Sequence, residues 1–171
     1  MGDYGAYYVY CIDAQDALAA ASSVANEPCG PIEPGELANA SQYLADVDWY
    51  LGEGSDLYGY RIEGQLVGVA VGWFGPRYGD HNFWPLGESE AHLIEMRTTE
   101  AARGRGVATV LMRVAAADYA RRGFTRIFGR VWHSHEASHK VLSRAGFRKC
   151  GRVWQFEPFG VFPKIQWRRG L

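Results

Sequence analysis

The sequence contains little cysteine and no apolar run long enough to span a membrane. Its three cysteines, Cys11, Cys29 and Cys150, are odd in number, widely spaced and without metal-ligand spacing, so neither a disulfide framework nor a zinc site is expected. The longest apolar run falls far short of the roughly 20 residues of a transmembrane helix. The N-terminus also lacks a basic region followed by an apolar one. We expect a cytoplasmic protein with no membrane partner.

Lysine and arginine are absent from residues 1–60, which hold ten of the 19 acidic residues. All 18 basic residues lie from Arg61 onward, so the second part of the chain is strongly positive. Such an uneven distribution bears on binding partners rather than on the fold. Each acid taken singly is typical of a solvated surface. Together the acids favour a region that attracts a cationic ligand, beside a basic region that holds a polyanion.

Length and composition indicate one globular domain, residues 1–171. The chain is 47% hydrophobic and 14% aromatic, which suits a sizeable core. No internal repeat or low-complexity linker divides it. His135 and His139 open a predicted helix, but no third ligand group accompanies them, so no metal is expected.

Apolar periodicity predicts the element order of a mixed α/β sheet flanked by helices. Glu63 and Gly64 form a hairpin signal, and Asp13 is the expected N-cap of the first helix. The predicted strands span residues 6–12, 57–62, 66–74, 91–98, 125–132, 147–156 and 161–167. The predicted helices span residues 14–26, 36–51, 107–122 and 134–145, and residues 29–35 and 75–87 are predicted loops.

The stretch 103–108, with sequence RGRGVA, lies between a predicted strand and a predicted helix. Its two glycines permit a tight turn and a close approach of the backbone to a ligand. The first N–H groups of the following helix have no partner within that helix, so an anion can accept hydrogen bonds from them. Arg103 and Arg105 add positive charge. We predict that this turn binds a diphosphate.

Two motifs connect this turn to a known family. The turn is neither a G-x-G-x-x-G dinucleotide fingerprint nor a G-K-[ST] P-loop, but Arg103, Gly106 and Ala108 match the pattern [QR]-x-x-G-x-[GA]. Residues 135–147 look like the pattern N-x-x-A-x-x-L-Y-x-x-x-G-F, with His135 in place of Asn and Leu142 in place of Tyr. From about residue 92 to 147 the chain therefore resembles the GNAT superfamily of acyl-CoA-dependent N-acyltransferases.

The resemblance implies a GNAT-like α/β fold. In this fold a mixed, mostly antiparallel central sheet is flanked by helices, and a splayed pair of parallel strands forms the cofactor cleft. The implied activity is transfer of an acetyl group from acetyl-CoA to a primary amine of a small, cationic molecule. The general acid is left unassigned, because Leu142 replaces the usual Tyr. The implied cofactor-binding residues are Met96, Arg97, Thr98, Arg103, Gly104, Arg105, Gly106, Val107, Ala108, His135 and Ser138.

Two residues on the strand before the turn are candidates for the general base. The resemblance places this base on strand 91–98, where His92 is the first candidate and Glu95 the second; otherwise the base is water or a residue that the sequence does not identify. Strand alternation puts His92, Ile94 and Met96 on one face and Glu95 on the other. Both candidates can face the cleft only if the strand contains a bulge.

Alternative functions and contacts remain open at this point. The basic half could dock an aminoacyl-tRNA as acyl donor through its arginines, or the chain could be a non-catalytic CoA-binding module. Loop 75–87 is long and aromatic, which predicts either a lid over the substrate or a contact within a homodimer. Tyr43, Trp49 and Tyr50 belong either to the core or to a wall of the amine pocket.

Overall fold

One mixed β-sheet carries the fold. The computed structural model describes residues 3–81, 83–157 and 165–170. Within them eight strands form a sheet of order β2-β3-β4-β5-β6-β1-β7-β8. Neighbouring strands are antiparallel except β5 and β6, which run parallel. The strands are β1 (Asp3–Asp13), β2 (Cys29–Pro31), β3 (Ser55–Ile62), β4 (Gln65–Phe74), β5 (Glu90–Thr98), β6 (Arg126–Trp132), β7 (Arg148–Glu157) and β8 (Ile165–Gly170).

Helices cover both faces of the sheet. The long fourth helix packs with the first and fifth on one face, where Leu111, Ala115 and Leu142 join the largest apolar cluster. Segment 34–50 covers the other face, where Leu44 and Val47 pack against β4. The helices are α1 (Ala14–Ala21), α2 (Gln42–Ala45), α3 (Gly75–His81), α4 (Val107–Arg121) and α5 (Glu136–Ala145). No helix in the described part of the chain is long and apolar enough to cross a membrane.

The GNAT-like architecture predicted from the sequence is confirmed, including the parallel pair at the centre of the sheet. The hairpin between β3 and β4 is confirmed as well. Glu63 and Gly64 have φ values of 50° and 80°, and positive φ at both turn residues is typical of a tight two-residue hairpin. At the end of α4, Gly123 has φ 95°, and the amide of Phe124 donates to the carbonyl of Tyr119 at 3.1 Å. The predicted glycine cap of this helix is therefore present.

The prediction of one helix over residues 36–51 is wrong. Two short 3₁₀ helices, Pro34–Asn39 and Asp46–Tyr50, flank α2 instead. Ala40 and Ser41 have extended backbone, with ψ values of 167° and 148°, which interrupts the helical hydrogen bonding. The predicted inward residues Leu37, Leu44 and Val47 are nevertheless buried. Packing against the sheet therefore determines the path of this segment, in place of continuous helix periodicity.

Three other local predictions need correction. Loop 75–87 begins with helix α3, and loop 29–35 begins with strand β2, which pairs with β3. Asp13 has the extended backbone of an N-cap, but its side chain makes no capping hydrogen bond and its carboxylate accepts a hydrogen bond from Arg148 at 2.8 Å. The last predicted strand overlaps β8 from residue 165 onward, and its residues 161–164 lie outside the described residues.

Candidate active site

The predicted phosphate turn has the backbone geometry that anion binding requires. Gly104 and Gly106 have φ values of 76° and 83°, a region that favours glycine. The first internal hydrogen bond of α4 runs from the amide of Val110 to the carbonyl of Gly106 at 3.1 Å. The amides of residues 107–109 precede it and have no carbonyl of the helix to which they can donate. A negatively charged group at this helix N-terminus is favoured by these donors and by the helix dipole.

A cavity of about 350 Å³ opens at this turn, which we call the cradle cavity. An added Cβ at Gly104 or Gly106 would have no heavy atom within 4 Å, so the backbone faces open space there. The hydroxyl of Thr98 is buried and has no hydrogen-bond partner among the described residues, which suits a polar ligand. The lining comes from segment 34–50, β5, the turn, α4 and α5: Tyr43, Met96, Thr98, Ala102, Arg103, Gly104, Gly106, Val107, Ala108, Thr109, Ala137, Ser138, Val141 and Arg144.

The parallel strands β5 and β6 separate next to the cradle cavity. Their last pair is Leu93 with Gly129, and beyond it β5 pairs only with β4 among the described strands. The free edge of β5 offers backbone groups to an extended ligand. A second cavity of about 300 Å³ lies in the gap between the strands, and we call it the transfer cavity. Met96, Ser138 and Val141 line both cavities, so together they form one cleft.

A β-bulge in β5 places both base candidates on one face of the sheet. Val71 pairs with Glu95 and the next residue, Gly72, pairs with Leu93, so Ile94 is the extra residue. His92 pairs with Trp73. Val71 and Trp73 both belong to the apolar cluster on the face covered by segment 34–50, so His92 and Glu95 lie on this face too. The bulge that the sequence analysis gave as the condition for both candidates to lie on one face is therefore present.

Glu95 reaches the transfer cavity. Its side chain is 23% exposed, and its Oε1 lies 3.7 Å from Nε of Arg97 and accepts a hydrogen bond from the amide of Met96 at 3.2 Å. The phenol of Tyr50 is close by. Burial, together with the neighbouring Glu95 carboxylate, raises the pKa of Tyr50. A carboxylate held in this way can accept a proton from a group that enters the cavity.

His92 lies deeper in the protein than Glu95. Its side chain is 1% exposed, and its ring stacks on that of Tyr78 with centroids 5.1 Å apart. Its Nδ1 lies 3.1 Å from the carbonyl oxygen of Leu93. Burial raises the pKa of Tyr78 to about 12, so this neighbour is a neutral phenol. His92 lines neither cavity of the cleft.

Arg97, predicted to contact the cofactor, directs its side chain toward segment 34–50. Nη1 donates to the carbonyl of Tyr43 at 2.8 Å and lies 3.7 Å from Oδ2 of Asp46. The guanidinium also lies 5.3 Å from the centroid of the Tyr43 ring. Arg97 therefore attaches segment 34–50 to β5 beside Glu95, while its backbone stays on the free edge of the strand. The sequence alone did not indicate this contact.

Helix α5 brings its predicted residues to the cleft. His135 and Ser138 line the transfer cavity. Leu142, one turn after Ser138, is 4% exposed and packs against the backbone of Gly129. On another side of α5, the phenol of Tyr10 lies 2.8 Å from Nδ1 of His139, which attaches the helix to β1. The sequence did not predict that second contact.

The acidic N-terminal region is partly neutralised within the fold. Four of its ten acids lie near arginines from later in the chain, at distances of up to 3.7 Å. These ion pairs reduce the negative field that residues 1–60 can present to a ligand. The four pairs are Asp13 with Arg148, Glu36 with Arg61, Asp46 with Arg97, and Asp56 with Arg122.

The separated parallel strands and the glycine-rich N-terminus of α4 are two features of the GNAT-like fold expected from the sequence. The sequence matches the model of the acetyltransferase (GNAT) family over residues 23–147. The chain belongs to this family. No curated protein matches it.

Solved structures of the same fold share little sequence with this chain. A putative GNAT acetyltransferase from Novosphingobium aromaticivorans is 17% identical with a TM-score of 0.63, over 89% of this chain and 63% of that one. An aminoglycoside N-acetyltransferase in complex with CoA is 17% identical with a TM-score of 0.55, over 71% of this chain and 91% of that one. An aminoglycoside 6'-N-acetyltransferase from Acinetobacter haemolyticus is 16% identical with a TM-score of 0.52, over 71% and 90%. The chain spans 52% to 63% of the first four structures it matches.

Proposed function

We propose that the protein is an N-acetyltransferase that moves an acetyl group from acetyl-CoA to a primary amine of a small molecule. The observation that carries this proposal is the single cleft that joins the cradle at residues 103–109 to the carboxylate of Glu95. A long ligand with a phosphate end and a reactive end fits such a cleft. The CoA that accompanies a relative of the same fold supports the choice of donor.

Named groups of the chain would hold the donor. The amides of residues 107–109 and the side chain of Arg103 would bind the diphosphate. The free edge of β5 at residues 96–98 and the hydroxyl of Thr98 would bind the amides of the pantetheine arm. Ser138 would lie beside the thioester, since it lines both cavities. Acetyl-CoA supplies the activated acyl group as a thioester.

The reaction forms a bond from the amine nitrogen to the carbonyl carbon and breaks the carbon–sulfur bond. An alkylamine with a pKa near 10 is neutral in only about one molecule per thousand at pH 7, so a base is needed to remove its proton. We propose Glu95 for this step, because its carboxylate lines the transfer cavity. His92 stays the alternative base, but the proton of the amine would have to cross the residues that bury its ring in order to reach it. The leaving sulfur takes up a proton from solvent in the cleft.

The acceptor predicted from the charge distribution is a small cationic amine. The fold shared with two aminoglycoside acetyltransferases supports this acceptor, and so do the N-terminal acids that make no ion pair in the described residues. Dicationic amines should then react faster than neutral ones, and the advantage should shrink as added salt screens the field. Equal rates for neutral and dicationic amines at every salt concentration would contradict this acceptor class.

The first experiment measures donor binding and amine-dependent turnover separately. Calorimetry should show acetyl-CoA binding, and thiol release should appear only when an amine is added. Ribonuclease treatment should leave the activity unchanged if acetyl-CoA is the donor, whereas loss of activity would favour the aminoacyl-tRNA alternative. Donor binding without turnover of any amine would favour a CoA-binding module. If acetyl-CoA does not bind even at millimolar concentration, the proposal fails.

A further inference from the structure

The transfer cavity is lined by a positively charged side chain as well as by Glu95. Arg130 of β6 lines this cavity, and in the register of the sheet it pairs with Val9 of β1. Val9 belongs to an apolar cluster with Phe83 and Phe128, whereas its neighbour Tyr10 belongs to the cluster beneath α4. Arg130 therefore lies on the sheet face away from α4, which is the face of Glu95.

Two aromatic rings hold the side chain of Arg130 in position. Its guanidinium carbon lies 4.6 Å from the ring centroid of Phe83 and 5.7 Å from that of Tyr7. Phe83 is 2% exposed, and its carbonyl accepts hydrogen bonds from Gln166 at 2.6 Å and Arg168 at 3.0 Å. A guanidinium that stacks on aromatic rings keeps its N–H groups available for another partner.

Among the described residues, no carboxylate forms an ion pair with Arg130 and no side-chain hydrogen bond uses its N–H groups. Arg126 on the same strand and the same face provides a direct comparison. It also lies over an aromatic ring, 5.3 Å from the centroid of Phe128, yet its guanidinium binds the carboxylate of Glu90 at 2.8 Å. A half-buried guanidinium that lines a cavity and lacks an anion suits an anion supplied by a ligand.

We propose that Arg130 binds a carboxylate of the acceptor, so that the acceptor is a small amine that also carries a carboxylate, such as an amino acid. Its amine would lie at Glu95 and its carboxylate at the guanidinium fork of Arg130. This inference rests on the proposed acetyl transfer to an amine, and it replaces the cationic acceptor of that proposal with an amine whose own carboxylate offsets its charge. This acceptor differs from the cationic one that the charge of residues 1–60 favours, because it is inferred from the side chains that line the transfer cavity.

The donor does not account for the charge of Arg130. The diphosphate would lie at residues 103–109, in the cradle cavity, and the lining of that cavity does not include Arg130. Arg130 lines only the transfer cavity of the two, which at about 300 Å³ has room for a small molecule. The anion that fits this position is therefore part of the acceptor.

The test measures acetyl transfer from acetyl-CoA to amino acids and, separately, to the corresponding carboxamides. A carboxamide keeps the amine and the shape of its amino acid but lacks the negative charge. For the wild type, kcat/KM for the amino acid should exceed that for its carboxamide about 10-fold or more, the effect of one charge-assisted contact. R130M keeps an unbranched apolar side chain over Phe83 and should abolish this preference, so that kcat/KM becomes equal for the amino acid and its carboxamide. R126M is the matched control and should keep the preference.

A binding measurement gives a readout that does not depend on turnover. Ligand-observed NMR without acetyl-CoA should detect the preferred N-acetylated amino acid on the wild type and on R126M, but not on R130M. Equal kcat/KM for acid and carboxamide in the wild type, or a preference that persists in R130M, would overturn the inference. If no amine reacts, the proposed function fails, and the binding measurement alone tests the role of Arg130. Carboxylate-dependent binding that is lost in R130M would support this role. Absence of carboxylate-dependent binding in the wild type would refute it.

Discussion

Replacing Gly106 with alanine should separate donor binding from folding, because the same change can be made at Gly123. Both glycines have positive φ, 83° and 95°, and both flank α4. An added Cβ at either position meets no heavy atom within 4 Å. Only Gly106 lines the cradle cavity, so the two variants share the backbone effect and differ in the effect on a ligand.

The positions of the two glycines determine how much stability and how much acetyl-CoA affinity each variant should lose. A non-glycine residue in the left-handed region costs roughly 1–2 kcal/mol, which for a chain of this size lowers Tm by about 2–8 °C in either variant. At Gly106 the methyl group also occupies the space through which a diphosphate reaches the helix amides. Loss of one or more charged hydrogen bonds, about 1.5–3 kcal/mol each, weakens acetyl-CoA binding about 10- to 100-fold or more.

Thermal denaturation and calorimetry with acetyl-CoA measure the two effects on the same samples. G106A and G123A should show similar falls in Tm, while only G106A loses affinity. Donor affinity unchanged in G106A would show that the diphosphate does not lie against this turn. Equal losses of affinity in both variants would show that α4 as a whole, and not the backbone at residue 106, determines binding.

The other predictions concern β5. Glu95→Gln should lower kcat about 100-fold or more with acetyl-CoA affinity unchanged, whereas Glu90→Gln on the same strand should keep kcat, as steady-state kinetics will show. His92→Ala removes a ring stacked in the core and should lower Tm without a comparable loss of kcat. A stable variant whose kcat falls 100-fold, and whose rate no longer rises with pH in the imidazole range, would instead assign the general base to His92. Arg97→Met should loosen segment 34–50, raise KM for the amine and increase amide hydrogen exchange around Tyr43; unchanged exchange there would contradict its attachment role.

Local chemistry made much of the fold predictable from the sequence. The hairpin at Glu63 and Gly64, the turn at Gly104 and Gly106 and the cap at Gly123 all depend on backbone dihedrals that few residues adopt. The face of α4 follows from apolar spacing along a single helix. Segment 36–51 was mispredicted because its apolar residues fit a helical stripe, whereas the fold satisfies the same burial with three short helical pieces.

From residue 91 to 123 the strand, the phosphate turn and the helix could be predicted from the sequence, because each depends on neighbours a few positions away. The resemblance to the GNAT superfamily supplied the candidates His92 and Glu95 on that strand. Which of them reaches the cleft could not be predicted from the sequence, because the bulge at Ile94 is defined only by the register of β5 with β4. The pairing of the N-terminal acids and the absence of a described carboxylate partner for Arg130 likewise depend on strands far apart in the chain, whose side chains meet only when the sheet has formed.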